Sequence, residues 1–158
     1  YSINQGATTI WERWNSYSKA KGFNPQRMNS LNHYAYGAIG EWMYERIGGI
    51  AQLEAGYKKI KIAPKPRNPL KSASASVDVP YGKVSSSWGI DGNEFQLEIV
   101  IPPNTTAQVI IPANTQNELM LNGVAFKDDS NLKLINTTND AFELLVQPGT
   151  YSFQSKLK

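Results

Sequence analysis

Residues Leu31 to Ile47 carry helical spacing with almost no polar face, and this constrains the fold more than any other stretch. Ser30 is placed to cap the start, and Gly48-Gly49 to stop the end. Leu31, Tyr34, Ala35, Ala38, Ile39, Trp42, Met43 and Ile47 follow the i, i+3, i+4, i+7 pattern of an apolar stripe. On the other side, Tyr36, Gly37, Gly40 and Tyr44 leave only Asn32, Glu41, Glu45 and Arg46 to seek water. A helix apolar nearly all round is buried nearly all round. At roughly 25 cal/mol per Å² of apolar area, leaving it half exposed forfeits on the order of several kcal/mol. The residues before it cannot supply that surrounding, so the segment is expected to belong to a larger helical assembly.

The sequence changes character near residue 52, where a domain boundary is placed, giving parts 1–52 and 53–158. The first part holds three of the four tryptophans and the lone histidine. Within it, Thr8 to about Lys21 reads either as a shorter helix or as an extended segment. The second part alternates with period two: Tyr57 to Ile62, Ala73 to Val79 and Phe95 to Ile101 each put apolar residues on one face. Further runs lie at Ala107–Ile111, Glu118–Leu121, Val124–Lys127, Asn131–Ile135, Phe142–Val146 and Tyr151–Gln154. Asp91-Gly92, Pro102-Pro103-Asn104, Asn122-Gly123 and Pro148-Gly149 supply turns, and Asn122-Gly123 is a hairpin signal. About nine short strands with no long helix between them predict an antiparallel β-sandwich. The fold class expected is α+β in two parts, a short helical segment and then a sandwich.

Charge and composition exclude several classes. With 41% hydrophobic and 18% charged residues the chain reads as globular, and its net charge of +3 is small. The one basic cluster, Lys58, Lys59, Lys61, Lys65 and Arg67, is the solvated face of a strand rather than a nucleic-acid footprint. There is no cysteine and a single histidine, so no thiolate or histidine-rich metal site is expected, and no cofactor. No apolar run of the ~18 residues needed to span a bilayer occurs, so no membrane insertion is expected. The chain starts at Tyr1 rather than methionine, which reads as a fragment or processed product and leaves its compartment open.

Ala7-Thr8-Thr9-Ile10-Trp11-Glu12-Arg13-Trp14 looks most like a site, with a carboxylate between two indoles and a guanidinium alongside. Burying a carboxylate against flat apolar surfaces is costly unless it is hydrogen-bonded or has chemistry to do. The plainer alternative is a packed Glu12–Arg13 pair with Trp11 and Trp14 in a core. His33 lies beyond a turn, so the chain can fold back and bring it to Glu12. On a helix, His33, Gly37 and Glu41 would share one stripe. Indoles are platforms for the C–H face of a sugar, and Trp11, Trp14, Arg13, His33 and Glu12 together suit a carbohydrate pocket better than a nucleotide one. No glycine-rich phosphate loop is present.

These residues resemble a known family. The octet ending in Trp11-Glu12-Arg13-Trp14, followed by Ser30-Leu31-Asn32-His33-Tyr34-Ala35-Tyr36-Gly37-Ala38-Ile39-Gly40-Glu41-Trp42, is similar to the end of the catalytic domain of bacterial α-L-rhamnosidases. The resemblance continues through Ala55-Gly56-Tyr57-Lys58, Pro80-Tyr81-Gly82-Lys83-Val84 with Trp88, and Ile101-Pro102-Pro103-Asn104-Thr105-Thr106-Ala107. It implies the last helices of a six-hairpin α/α barrel followed by a C-terminal β-sandwich. It also implies removal of terminal α-L-rhamnose from a glycoside or polysaccharide with inversion. Glu12 would be the general base and His33 a sugar-binding residue. From their residue types alone, and not from the resemblance, Trp11, Trp14 and Arg13 are expected to line the substrate, with Arg13 beside the carboxylate. No role carries over to Glu41. The general acid and other sugar contacts would come from the remainder of the barrel, which is the expected partner; alone, the chain should be inactive. Two other readings treat the sandwich as a carbohydrate-binding module contacting sugar through Trp88 and Tyr81, or as purely architectural.

Overall fold

The computed structural model describes residues 1–158, which divide into two compact units, Tyr1–Trp42 and Met43–Lys158. The division falls ahead of the sequence boundary near residue 52. The helical stretch ends within the second unit, and Ile50–Gln52 already form a strand there.

The first unit holds a 3₁₀ turn, Ile3–Gln5, a two-stranded antiparallel hairpin of β1 (Tyr17–Ser18) and β2 (Gly22–Phe23), and a helical end. The helical end runs as a 3₁₀ segment, Tyr34–Ala38, and then α1 (Ile39–Trp42). Thr8 to Lys21 contains no helix. The helix expected from Leu31 therefore starts later, and Ser30 does not cap it. Residues 30–33 are held by backbone bonds to residues 10–12 instead, and His33, at φ −89° and ψ 93°, is extended. No apolar side chain of this unit is buried; its only buried residue is Ser16. In the apolar stretch from Leu31, Tyr34 is 90% exposed and Trp42 50%; outside it, Trp14 is 81% exposed.

The second unit opens with a π-wound turn, Met43–Gly48. Its end is fixed by close approach. A Cβ on Gly48 would lie 2.5 Å from Ala75 Cβ, and one on Gly49 2.4 Å from the Pro64 nitrogen. Gly49 also has φ +80°, which side-chain-bearing residues rarely adopt.

Eleven strands follow: β3 (Ile50–Gln52), β4 (Lys59–Ile62), β5 (Ser72–Val79), β6 (Gly82–Asp91), β7 (Glu94–Ile101), β8 (Thr106–Pro112), β9 (Met120–Leu121), β10 (Val124–Ala125), β11 (Leu132–Thr137), β12 (Ala141–Val146) and β13 (Gly149–Lys156). They form a six-stranded sheet, ordered β10-β9-β13-β7-β6-β5, and a five-stranded sheet, ordered β11-β12-β8-β4-β3. Period-two alternation sets the inner faces. Phe95, Leu97, Ile99 and Ile101 of β7 are buried, as are Ala107, Val109 and Ile111 of β8, Leu144 and Val146 of β12, and Phe153 of β13. Asn122 and Gly123 both take positive φ, 51° and 82°, making the tight turn between β9 and β10. All pairings are antiparallel except one, in which β4 runs parallel to β8 with Ile60 opposite Ala107. Sequence patterning missed β3 and β6. β3 is too short to show a period, and the Ser85-Ser86-Ser87 run of β6 hides an alternation whose inward residues are Val84, Ser86 and Trp88.

Candidate functional site

Two segments of the first unit, residues 9–12 and 30–33, lie side by side. The Glu12 amide donates to the Ser30 carbonyl at 2.9 Å, the His33 amide to the Ile10 carbonyl at 2.7 Å, and the Thr9 hydroxyl to the Leu31 carbonyl. This pairing aims the Glu12 side chain back along the second segment, where its Oε2 accepts the Ser30 amide hydrogen at 2.8 Å. His33 Nδ1 lies 4.0 Å from the same oxygen. The Glu12 side chain is 13% exposed and that of His33 29%, so the carboxylate is largely shielded yet reachable. A backbone donor offsets part of the cost of shielding a carboxylate and fixes its direction without neutralising it.

Glu12 lies in a groove of about 690 Å³ lined also by Thr9, Trp11, Trp14 and Tyr36. Trp11 is partly buried and held edge-on to the Tyr17 ring, with centroids 6.2 Å apart at 80°. Trp14 offers an open indole face.

Arg13 turns to the segment 26–28. Its guanidinium makes no ion pair with Glu12; Nε donates to the Met28 carbonyl at 2.9 Å, Nη2 to the Arg27 carbonyl at 3.0 Å, and Nη1 to the Gln26 side chain. The planar fork of arginine suits this grip on three successive residues, one of which, Met28, has φ +60°. Charge adjacency in sequence suggested a pair, but the backbone bends at Glu12 and Arg13 and the guanidinium is taken up by residues 26–28 instead. The helical stripe of His33, Gly37 and Glu41 also does not form. His33 precedes the helical segment, whose first part is 3₁₀, and Glu41 is exposed on α1. Two features escaped the sequence reading: the Ser30 amide as carboxylate donor, which no side-chain pattern announces, and Tyr36. The Tyr36 ring lies 5.1 Å from the His33 ring, and its hydroxyl donates to the Glu12 carbonyl at 3.4 Å.

Trp88, a suggested sugar contact of the sandwich, is only 3% exposed. Its indole N–H donates to the Ile47 carbonyl at 2.7 Å and its ring packs on Phe95, so no face is open for a sugar to stack on. Tyr81 has Lys58 Nζ 5.1 Å above its ring, and Lys59 pairs with Glu54 at 3.3 Å, so part of the basic cluster is engaged within the sandwich itself. No three His, Cys, Asp or Glu side chains gather in a group that could hold a metal ion.

Fold and site together define a class: the helical end of one domain, carrying a shielded carboxylate in an indole-lined groove, joined to a β-sandwich. Residues 1–47 match the bacterial alpha-L-rhamnosidase 6 hairpin glycosidase domain, and residues 49–126 the bacterial alpha-L-rhamnosidase C-terminal domain. An alpha-L-rhamnosidase of Formosa agariphila is 63% identical over 156 residues, 99% of this chain and 17% of that protein. One from an Alteromonas species is 48% identical over 114 residues, 72% of this chain and 12% of the relative. In the crystal structure of Streptomyces avermitilis alpha-L-rhamnosidase complexed with L-rhamnose, the matching region superposes with a TM-score of 0.82 at 38% identity. That match covers 99% of this chain and 14% of the solved one. The chain belongs to the bacterial α-L-rhamnosidase family, as its C-terminal part.

Proposed function

We propose that the chain is the part of an inverting α-L-rhamnosidase that supplies the general base, Glu12, for removal of terminal α-L-rhamnose from a glycoside or polysaccharide. The observation that carries this is the Glu12 carboxylate, oriented by the Ser30 amide and shielded, at the edge of a groove walled by Trp11 and Trp14. Inversion needs a carboxylic acid to protonate the leaving oxygen and a carboxylate to activate water on the opposite face, the two about 6.5–9.5 Å apart. Glu12 takes the proton of that water. His33, at the edge of the same carboxylate, orients the water or a sugar hydroxyl, and the indoles exclude solvent and offer faces to the ring. Arg13 serves the substrate indirectly, by holding residues 26–28 in place. The acid and the remaining sugar contacts belong to preceding barrel segments, and the sandwich is architectural.

Glu12→Gln in the longer parent enzyme removes the base while keeping the acceptor for the Ser30 amide. We expect kcat to fall by orders of magnitude with an unchanged circular dichroism spectrum; near-normal turnover would exclude the assignment. The purified 158-residue chain should not hydrolyse an aryl α-L-rhamnoside.

A further inference from the structure

We propose that Tyr36 is a positioning residue that holds Glu12 and His33 in one working arrangement; this rests on the assignment of Glu12 as the base. Three observations meet at this side chain. Its hydroxyl donates to the backbone carbonyl of Glu12 at 3.4 Å. Its ring lies 5.1 Å from the His33 imidazole at 51°. It also lines the groove that Glu12 enters.

The winding of the chain explains how one residue does both. The Tyr36 amide donates to the His33 carbonyl at 3.3 Å, opening the 3₁₀ segment. In a 3₁₀ turn, residues i and i+3 eclipse one another, whereas in an α-helix they are offset. The tight winding that begins at His33 brings the Tyr36 ring beside the imidazole, tilted by 51° to it. The imidazole is then bounded by the Tyr36 ring on one side and by Glu12 Oε2, 4.0 Å from Nδ1, on another. Glu12 is fixed at its amide and its carboxylate by Ser30, and at its carbonyl by Tyr36. Removing the last of these leaves the carboxylate and its Ser30 hydrogen bond in place but loosens the backbone that carries them. In a reaction requiring a water on one line between base and anomeric carbon, such misplacement lowers the rate more than binding.

The test uses the complete parent enzyme with an aryl α-L-rhamnoside and the variants Tyr36→Phe, Tyr36→Leu and Glu12→Gln. Tyr36→Phe keeps the ring and loses the hydroxyl; kcat should fall about threefold to tenfold, the range for one lost hydrogen bond, with KM within about twofold. Tyr36→Leu also strips the ring from His33, and KM should then rise as kcat falls further, with phenylalanine rescuing the KM component. Wild-type kcat in both variants overturns the proposal. So does a raised KM at unchanged kcat in Tyr36→Phe, which would make Tyr36 a direct sugar contact. Loss of kcat in proportion to a lowered Tm would reduce it to a packing residue and also overturns it. Glu12→Gln separates the two levels. If it is inactive while both Tyr36 variants are normal, only this inference fails; if it turns over normally, the base assignment itself fails.

Discussion

The indole of Trp88 performs two tasks that two substitutions take apart. In Trp88→Phe the ring contact with Phe95 is retained in large part, but the N–H donor to the Ile47 carbonyl is gone. Leaving a buried acceptor unmade costs about 1–3 kcal/mol. Ile47 is only partly buried, so water reaches the freed oxygen and the cost falls at about 1–2 kcal/mol, close to tenfold in the unfolding constant. Trp88→Ala adds the cavity of a ring that is 3% exposed, and about 3–5 kcal/mol is expected in total. Urea unfolding of the 158-residue chain followed by far-UV circular dichroism, with the slope checked for constancy, measures both. A Trp88→Phe midpoint within error of the wild type would show that the hydrogen bond contributes nothing. A Trp88→Ala value equal to that of Trp88→Phe would show that the ring is not part of the core.

Other outcomes follow from single positions. Gly49→Ala must place a methyl 2.4 Å from the Pro64 nitrogen at φ +80°, so a loss of about 2–4 kcal/mol is expected in the same unfolding assay. His33→Ala in the parent enzyme should raise KM for the rhamnoside; unchanged KM with a collapsed Tm would make His33 structural. Tyr151 is buried, its hydroxyl donating to Gln147 and Pro148, and burial first and Asp129 second push its ionisation above the ordinary value. The folded state therefore favours the neutral phenol. Its contribution is complete below the unfolded phenol pKa of about 10 and is lost as pH rises through the raised folded value. Tyr151→Phe should make stability fall less steeply above pH ~10 in alkaline unfolding titrations.

How much of this is visible in the sequence depends on the kind of interaction. Period-two burial is a property of each strand alone, so β7, β8 and β12 are legible from Phe95 to Ile101, Ala107 to Ile111 and Phe142 to Val146. The parallel partnership of β4 and β8 depends on where distant segments meet and is not. The apolar periodicity of Leu31–Ile47 correctly signals unsatisfied surface, but it cannot specify winding, which here is 3₁₀, α and π in turn. Residue types marked Glu12 and His33, and the structure sets them 4.0 Å apart. What they lean on is backbone, and backbone donors such as the Ser30 amide leave no trace in side-chain identity.

The strand order of the six-stranded sheet bears on how such a protein is made. β13, from residue 149 onward, lies between β7, with Phe153 opposite Leu97, and β9, with Phe153 opposite Leu121. While the chain is being synthesised, β7 has its partner β6 early, but its other edge stays open until residues 149–156 have left the ribosome. An open apolar edge of that length invites pairing with a second nascent chain. Speed of completion through residue 156, and protection of the edge of Glu94–Ile101 in the interval, should therefore govern the yield of soluble product.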